Sequence, residues 1–348
     1  MATVPPTGGI LEAVFEEYYT KIARPSTEKI CELTNEVYAL LEKLIPKLKV
    51  LLAKVGAKFL KVEYCGSVFN GTCTSDCPIA DVLIVLDKKE TKIKSKEPGF
   101  KWLLAERFKT DGPKKDGYRW ARCSDGIHLS SQMLLDNLYR CTKTSLMTSP
   151  DITVSKNTNE NVVEVRKDKK IIYFTPALNL DGNSFAVSRF YANDSYQTNE
   201  LYWRLHHDKK TTSLLSICDK ADEGVRRKSL IILKSFFRRE PSLSYLKNHH
   251  ILHATLHSLD LEVDHIQRWQ KWRLDGTVLR ILEEIKLNLK NNFMADFFIP
   301  GRNLFYGIEK SCIANMLSRL TFILDHHCYF ARLLHKQWRD IAFEEDTG

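Results

Sequence analysis

The chain has no apolar run approaching the ~18 residues that a membrane-crossing helix needs, so no transmembrane segment is expected. Its opening residues, MATVPPTGG, lack the charged and apolar regions of a secretory signal. Nine cysteines, an odd number, are scattered from Cys31 to Cys328, which argues against a disulfide framework and for reduced thiols in a cytoplasmic setting. Cys73 and Cys77 have a CxxxC spacing, but no second Cys/His pair follows at zinc-finger distance, so no structural metal site is expected. Internal repeats and low-complexity blocks are also missing, which excludes solenoids and biased linkers.

What is present is a 348-residue chain that is 43% hydrophobic, ample for a packed core. At about 100–200 residues per domain, two lobes are expected. The formal net charge of +9 favours polyanionic partners: nucleic acid, nucleotides or anionic lipid.

Residues 8–23 carry helical spacing, and 25–56 continue at a 3.6-residue period as a long spine helix that contains Pro46 and stops at Gly56. Strand-like runs follow at 58–66 and 80–87, the second nearly all apolar, as in a strand buried on both faces. Residues 88–98 read as a lysine-rich loop, and 99–108 and 117–123 as further strands. A helix is expected over 130–146 with Ser130 as its cap, a polar loop over 149–160, and a hairpin over 161–178 turning near Asp168 and Lys169. After about residue 195 periodic helices dominate, at 223–239, 245–259, 269–291 and 309–336. The expected architecture is α+β: a mixed-sheet lobe with an N-terminal spine helix over 1–195, then a helical bundle lobe over 196–348. The cleft between such lobes is the natural place for a ligand.

The stretch EYCGSVFNGTCTSDCPIADVLIVLD, residues 63–87, starts as a phosphate-gripping turn and ends in a strand. Gly66 allows close backbone approach, and Ser67 with neighbouring N–H groups can hold phosphate oxygens. Two-metal phosphoryl transfer places carboxylates at i and i+2 of such a strand, where side chains share a face. Here Asp81 is present, but the position two earlier is Ile79. Asp76 falls on the preceding loop, and Asp87 lies six residues along, ~20 Å at strand rise. The hairpin strand should deliver a third carboxylate and has Ile171, Ile172, Tyr173 and Phe174 instead. Tyr173 is a poor ligand for a hard divalent cation. No residue is therefore assigned as catalytic, with Asp81 standing as a remnant acidic position.

CGSVFNG (65–71), YWRLHHD (202–208), DKADEGVRRKSLIILKSF (219–236) and FFIPGRNLF (297–305) occur in the order and spacing of the Mab-21 family. The chain resembles that family, which includes cyclic GMP-AMP synthase and the mitochondrial dynamics proteins, over most of its length. The resemblance implies a two-lobed nucleotidyltransferase fold with a C-terminal helical lobe. It aligns Ile79, Asp81 and Tyr173 with the three acidic positions of active members. It implies a nucleotide pocket formed by Gly66, Ser67, Arg204 and Lys234, with His249 near a base-stacking position. Ser67 would donate to phosphate, Lys234 would supply a point positive charge, and Arg204 would stack on or hydrogen-bond a base. The zinc-binding insertion of cyclic GMP-AMP synthase has no counterpart after Arg204, where only His206, His207 and Cys218 stand.

The likeness is strongest to the mitochondrial dynamics proteins, in 116–139 and 218–246. It implies a nucleoside di- or triphosphate as ligand, a dynamin-type GTPase as partner, and the mitochondrial outer-membrane surface as location where an anchor precedes the chain. Basic clusters at Lys88, Lys89, Lys92, Lys94, Lys96 and Lys101, at Arg166, Lys167, Lys169 and Lys170, and at Arg226, Arg227, Lys228, Arg238 and Arg239 offer surfaces for nucleic acid. The spine helix mixes Lys29, Lys43, Lys47, Lys49 and Lys54 with Glu28, Glu32, Glu36 and Glu42, as a solvated face does. Trp102, Trp120, Trp203, Trp269 and Trp272 read as core or interface residues. Three functions are therefore expected, in this order. The first is a catalytically degenerate nucleotide- or partner-binding adaptor that requires no cofactor. The second is a nucleic-acid-activated synthase of innate immune sensing that uses Mg²⁺, and the third is a mitochondrial fission receptor.

Overall fold

The computed structural model describes residues 9–54, 57–75, 79–87, 91–97, 99–105, 128–189, 201–258 and 273–346. They form two compact units: Thr27–Asn70 with Pro78–Thr212, and Met1–Ser26 with Gly71–Cys77 and Ser213–Gly348. Where the sequence places one boundary near residue 195, the N-terminal helix and the 71–77 segment group with the C-terminal helices.

The helical unit begins with α1 (Ile10–Tyr18), which runs into a π-helical turn at Tyr19–Ala23. It continues with α6 (Val225–Arg239), α7 (Asn248–His257), α8 (Leu274–Lys290), α9 (Lys310–Asp325) and α10 (His327–Asp346). Leu11, Val14, Phe15 and Tyr18 recur at three- and four-residue steps, so α1 buries one stripe. That stripe enters a single core with Leu230, Phe236, Val278, Ile281, Leu320 and Phe330. Phe15 meets Phe330 edge-on at 5.4 Å, and the buried Tyr18 hydroxyl donates to Gln337 at 2.9 Å. The expected single helix over 309–336 is two helices. His326, at φ −129 and ψ 71, breaks the α-ladder between them.

The sheet unit opens with α2 (Thr27–Lys54), the expected spine helix. Leu33, Val37, Leu40, Leu41, Leu44, Leu48 and Leu52 form its buried stripe. Pro46 sits on the exposed face, where water can satisfy the Glu42 carbonyl that the missing N–H leaves behind. The strands are β1 (Phe59–Cys65), β2 (Ile79–Leu86), β3 (Thr91–Glu97), β4 (Phe100–Ala105), β5 (Ile152–Asn157), β6 (Val162–Lys167), β7 (Lys170–Asn179), β8 (Phe185–Val187) and β9 (Trp203–His206). They make one nine-stranded sheet, ordered β1-β2-β7-β8-β9-β4-β3, with β6 also paired to β7 and β5 beside β6. Only the β2–β7 pairing is parallel among those described, so the sheet is mixed.

Helix α4 (Ser131–Leu146) starts where expected: the Ser130 hydroxyl accepts from the Met133 N–H at 3.1 Å. Helices α3 (Gly66–Phe69) and α5 (Asp208–Asp222) complete the set. The expected polar loop over 149–160 contains β5. An edge strand paired on one side tolerates its polar residues, and only Ile152 and Val154 carry an apolar alternation. The hairpin turns at Asp168, which takes a left-handed φ of 54. Lys88, Lys89, Asp76, Cys77, Gly56, Trp120, Trp269, Trp272 and the strand expected over 117–123 lie outside the described residues.

Candidate functional site

In the sheet unit, β2 and β7 run parallel in a register that places Asp81 directly opposite Tyr173 and Ile79 opposite Ile171. The two positions on which acidic partners would be needed thus carry Ile79 and Tyr173, on the strand of Asp81 and on its neighbour. Strand pleating sets this: Ile79 and Asp81 share a face, as residues two apart must.

The Asp81 carboxylate is instead ion-paired to Nη1 of Arg189, whose Nη2 is ion-paired to Glu160. The Arg189 guanidinium carbon lies 5.3 Å from the centre of the Tyr173 ring, a cation–π distance. Its backbone carbonyl accepts from Nε of Arg204 at 2.8 Å. Burial lifts the Asp81 carboxyl above its ordinary range, against the pull of Arg189. Burial also works against the charged guanidinium, but Asp81 and Glu160 outweigh it and make its proton harder to remove. The guanidinium stays charged at any working pH, so the three groups stand as two carboxylates around one fixed cation. Burial, with the nearby Glu160 and Glu164 charges, pushes the Tyr173 phenol up to about 12, so it is neutral at pH 7.

These residues do not fit a two-metal centre. Such a centre needs several hard oxygens converging on open space. Here an apolar side chain and a neutral phenol stand at two of the three positions, and a guanidinium contacts the carboxylate at the third. Among the described residues no group of three or more His, Cys, Asp or Glu side chains converges as a metal site.

The Gly-Ser turn lies directly on Asp81. Gly66 adopts φ +78, and a Cβ placed on it would come within 2.2 Å of Asp81 Oδ2 and 2.9 Å of Asp81 Cβ. Only glycine fits both the conformation and the space. Its N–H donates to Oδ2 of Asp208 at 3.1 Å, and the Asn70 side-chain amide donates to Oδ1 of Asp208 at 3.5 Å. A carboxylate of the chain itself therefore occupies the N–H expected to greet phosphate. Ser67 is half-buried on the single turn of α3. Arg204 is only 3% exposed and belongs to the Arg189 network through its Nε bond.

Lys234 and His249 lie in the helical unit. Lys234 is 5% exposed and donates to the Thr72 hydroxyl at 2.9 Å and the Thr72 carbonyl at 3.3 Å. The half-buried His249 ring centre is 3.9 Å from that of His250, whose Nε2 is 3.0 Å from the Leu304 carbonyl oxygen.

Two of the three basic clusters are extensively ion-paired. Arg226 is tied to Asp222, Arg227 donates to Asp219 at 2.6 Å, and Lys228 bonds Glu16 at 2.9 Å. Arg166 is tied to Glu164, and Lys167 bonds Glu36 at 2.6 Å. Paired charges of this kind leave less positive potential for a polyanion than the raw count implies. Arg238, on the exposed side of α6, donates to the Thr74 hydroxyl at 3.2 Å. Trp203 is fully buried and donates to the Leu129 carbonyl at 2.8 Å, a core role as expected. A groove of ≈ 580 Å³ beside α2 and α4, lined by residues including Lys54, Met133 and Arg140, contains none of the expected nucleotide residues.

Three residues at the centre of this arrangement were not singled out from the sequence: Arg189, Glu160 and Asp208. Each is a charged residue in a polar segment, and no spacing rule connects them to Asp81. The nearest signal was Asp208 at the end of the YWRLHHD segment.

Residues 225–322 match the Mab-21 protein HhH/H2TH-like domain. Mitochondrial dynamics protein MID49 of Xenopus laevis is 32% identical over 117 residues, which is 34% of this chain and 24% of that protein. The alignment thus spans about a quarter of that relative's length. Cyclic GMP-AMP synthase-like receptor 3 of Stylophora pistillata is 21% identical over 342 residues, covering 92% of this chain and 96% of that protein. These matches agree with the resemblance drawn from the four sequence segments. Among the described residues no helix is long and apolar enough to cross a membrane.

Proposed function

We propose that this chain, whose residues 225–322 match the Mab-21 protein HhH/H2TH-like domain, is a catalytically degenerate nucleotidyltransferase-fold protein of the Mab-21 family. It would act by binding a nucleotide, a protein partner or both, as an adaptor or regulator. The observation that carries the reading is the Asp81 face. Ile79 precedes Asp81 on β2, Tyr173 opposes it on β7, and Arg189 is ion-paired to it. Any nucleotide held near this face would be bound without metal bridging, because the cationic charge beside Asp81 is already a guanidinium. The Ser67 hydroxyl is the group best able to take a phosphate oxygen. The phosphate would meet Asp208 at the Gly66 N–H, so a ligand that succeeds must displace or tolerate that carboxylate.

The test is isothermal calorimetry with ADP, GDP, ATP and GTP, with and without Mg²⁺. Binding that is indifferent to Mg²⁺ and weakened in Ser67→Ala is the expected result. Heat that appears only with Mg²⁺ and vanishes in Asp81→Ala would overturn the reading. If no nucleotide binds, the adaptor reading rests on protein contacts. A purified dynamin-type GTPase, the partner class implied by the mitochondrial likeness, is then the probe. A second reading, cyclic-dinucleotide synthesis, is favoured by the printed name of the relative aligned along 92% of the chain and by the net charge of +9. Product analysis separates the two.

A further inference from the structure

Strand β1 ends the sheet, and among the described residues it pairs with β2 alone. In an antiparallel ladder alternate residues turn their N–H and C=O groups away from the neighbour, so β1 presents backbone donors and acceptors along its outer side. Such edges are ordinarily guarded by charge or polarity. The sequence of β3, at the opposite end, has Lys92, Lys94 and Lys96, and β5, at the end of its own branch, has Thr153, Ser155, Lys156 and Asn157. Strand β1 instead exposes apolar side chains: Leu60 is 47% exposed and Tyr64 40%. The Tyr64 ring meets that of Tyr38 on α2 edge-on at 5.2 Å and that of Phe69 at 5.1 Å, and Tyr38 is itself 48% exposed. An aromatic shelf therefore flanks an open strand edge.

We propose that β1 is a dimerisation edge, which pairs antiparallel with β1 of a second copy of this chain and joins the two sheets. What selects a second copy is the self-complementary order of Leu60, Lys61, Val62, Glu63 and Tyr64. A two-fold axis through Val62 sets Lys61 of one protomer opposite the partner's Glu63, and Tyr64 beside the partner's Leu60. Opposite charges and aromatic–aliphatic pairs are favourable when directly across a ladder. The neighbouring registers centre on Lys61 or on Glu63 and bring like charges face to face, so charge selects the Val62 register. Within its own chain Glu63 is paired to Lys61 and, at 2.9 Å, to Lys209, which keeps the carboxylate ionised for the partner's Lys61. The register shift between Phe59 and Lys61 ends the regular ladder there, so the contact is short and reversible rather than obligate. This goes beyond the adaptor reading, and its test reads assembly rather than nucleotide binding or turnover, so either can fail alone.

The experiment is sedimentation velocity of the full chain over a wide concentration range, with circular dichroism to check that each variant is folded. Wild type should pass from monomer to dimer as concentration rises. Lys61→Glu and Glu63→Lys each set like charges across the axis and should stay monomeric where wild type is dimeric. Mixed in equal amounts, these two variants should form a heterodimer, because each strand then carries the charges that the other lacks. The double variant Lys61→Glu with Glu63→Lys should dimerise by itself. A merely structural role for either residue would give no such rescue. A wild type that is monomeric throughout overturns the proposal and leaves the edge to a strand of another protein or to none. A dimer that survives both single substitutions overturns it by placing the contact elsewhere. Folded single variants that form no dimer on mixing overturn it as well. Wild type alone gives a reading that needs no variant: amide hydrogen exchange over residues 60–64 should slow as the dimer forms. Unchanged exchange there overturns the proposal even where a variant fails to fold.

Discussion

Gly66→Ala probes the contact on which the candidate site is built. Gly66 sits at φ +78, and an added Cβ would lie 2.2 Å from Asp81 Oδ2 and 2.9 Å from Asp81 Cβ and Cγ. The left-handed conformation alone costs a residue with a Cβ about 1–2 kcal/mol. The collision adds an overpacking cost of about 1–3 kcal/mol, because Asp81 can retreat only by disturbing its pairing with Arg189. The expected loss is about 2–5 kcal/mol, a large share of the ~5–15 kcal/mol by which a typical domain is stable. Gly182→Ala is the internal control. Gly182 has φ +87 and nothing within 4 Å of its would-be Cβ, so it carries the conformational cost without the collision. Urea denaturation followed by circular dichroism should rank wild type above Gly182→Ala and Gly182→Ala above Gly66→Ala. Equal losses in the two variants would refute the claim that the Gly-Ser turn rests on Asp81.

Other expectations follow from the same physics. Arg226 and Asp222 are 6% and 1% exposed and paired to each other, so Arg226→Ala should cost about 3–5 kcal/mol in urea by stranding a buried charge. Ser130→Ala removes the cap that accepts from Met133 and should cost about 1 kcal/mol in the same assay. Burial would raise the Glu63 carboxyl, but Lys61 and Lys209 outweigh it and hold the group below its ordinary 4.5. A carboxylate whose folded value is depressed stabilises above its unfolded value, and that stability is lost as pH falls through the folded value. Glu63→Gln should therefore lower the thermal midpoint at pH 7 and make little difference well below pH 4. A constant difference at both pH values would contradict the sign.

Much of the framework was legible in the sequence because it rests on periodicity. The spine helix shows its leucine stripe, β2 its apolar run, and α4 its Ser130 cap. The hairpin of β6 and β7 was legible as well, down to the turn at Asp168. What escaped depends on distant pairing. Strands β8 and β9 are three and four residues long and hold their place through sheet neighbours, not through a pattern of their own. Arg189 reaches Asp81 only because β7 lies parallel to β2 and β8 returns antiparallel beside β7. Single-chain spacing does not encode that geometry.

Lys234 illustrates a signal that was available. It is flanked by Ile232, Leu233, Phe236 and Phe237, all buried, and a lysine inside such a run is more readily a buried hydrogen-bond donor than a cleft-facing charge. Arg226, Arg227 and Lys228 teach a similar lesson. A run of three positive charges read as surface, yet carboxylates at Asp222, Asp219 and Glu16 take one each.

The central claim is that the Asp81 face carries no metal-dependent nucleotidyl transfer. It is tested most directly by incubating the purified chain with ATP and GTP, Mg²⁺ or Mn²⁺, and duplex DNA or RNA, and resolving the products by chromatography. The expected result is no oligomeric or cyclic nucleotide product, with traces from the wild type and Asp81→Ala indistinguishable. A product made by the wild type and lost in Asp81→Ala would contradict it.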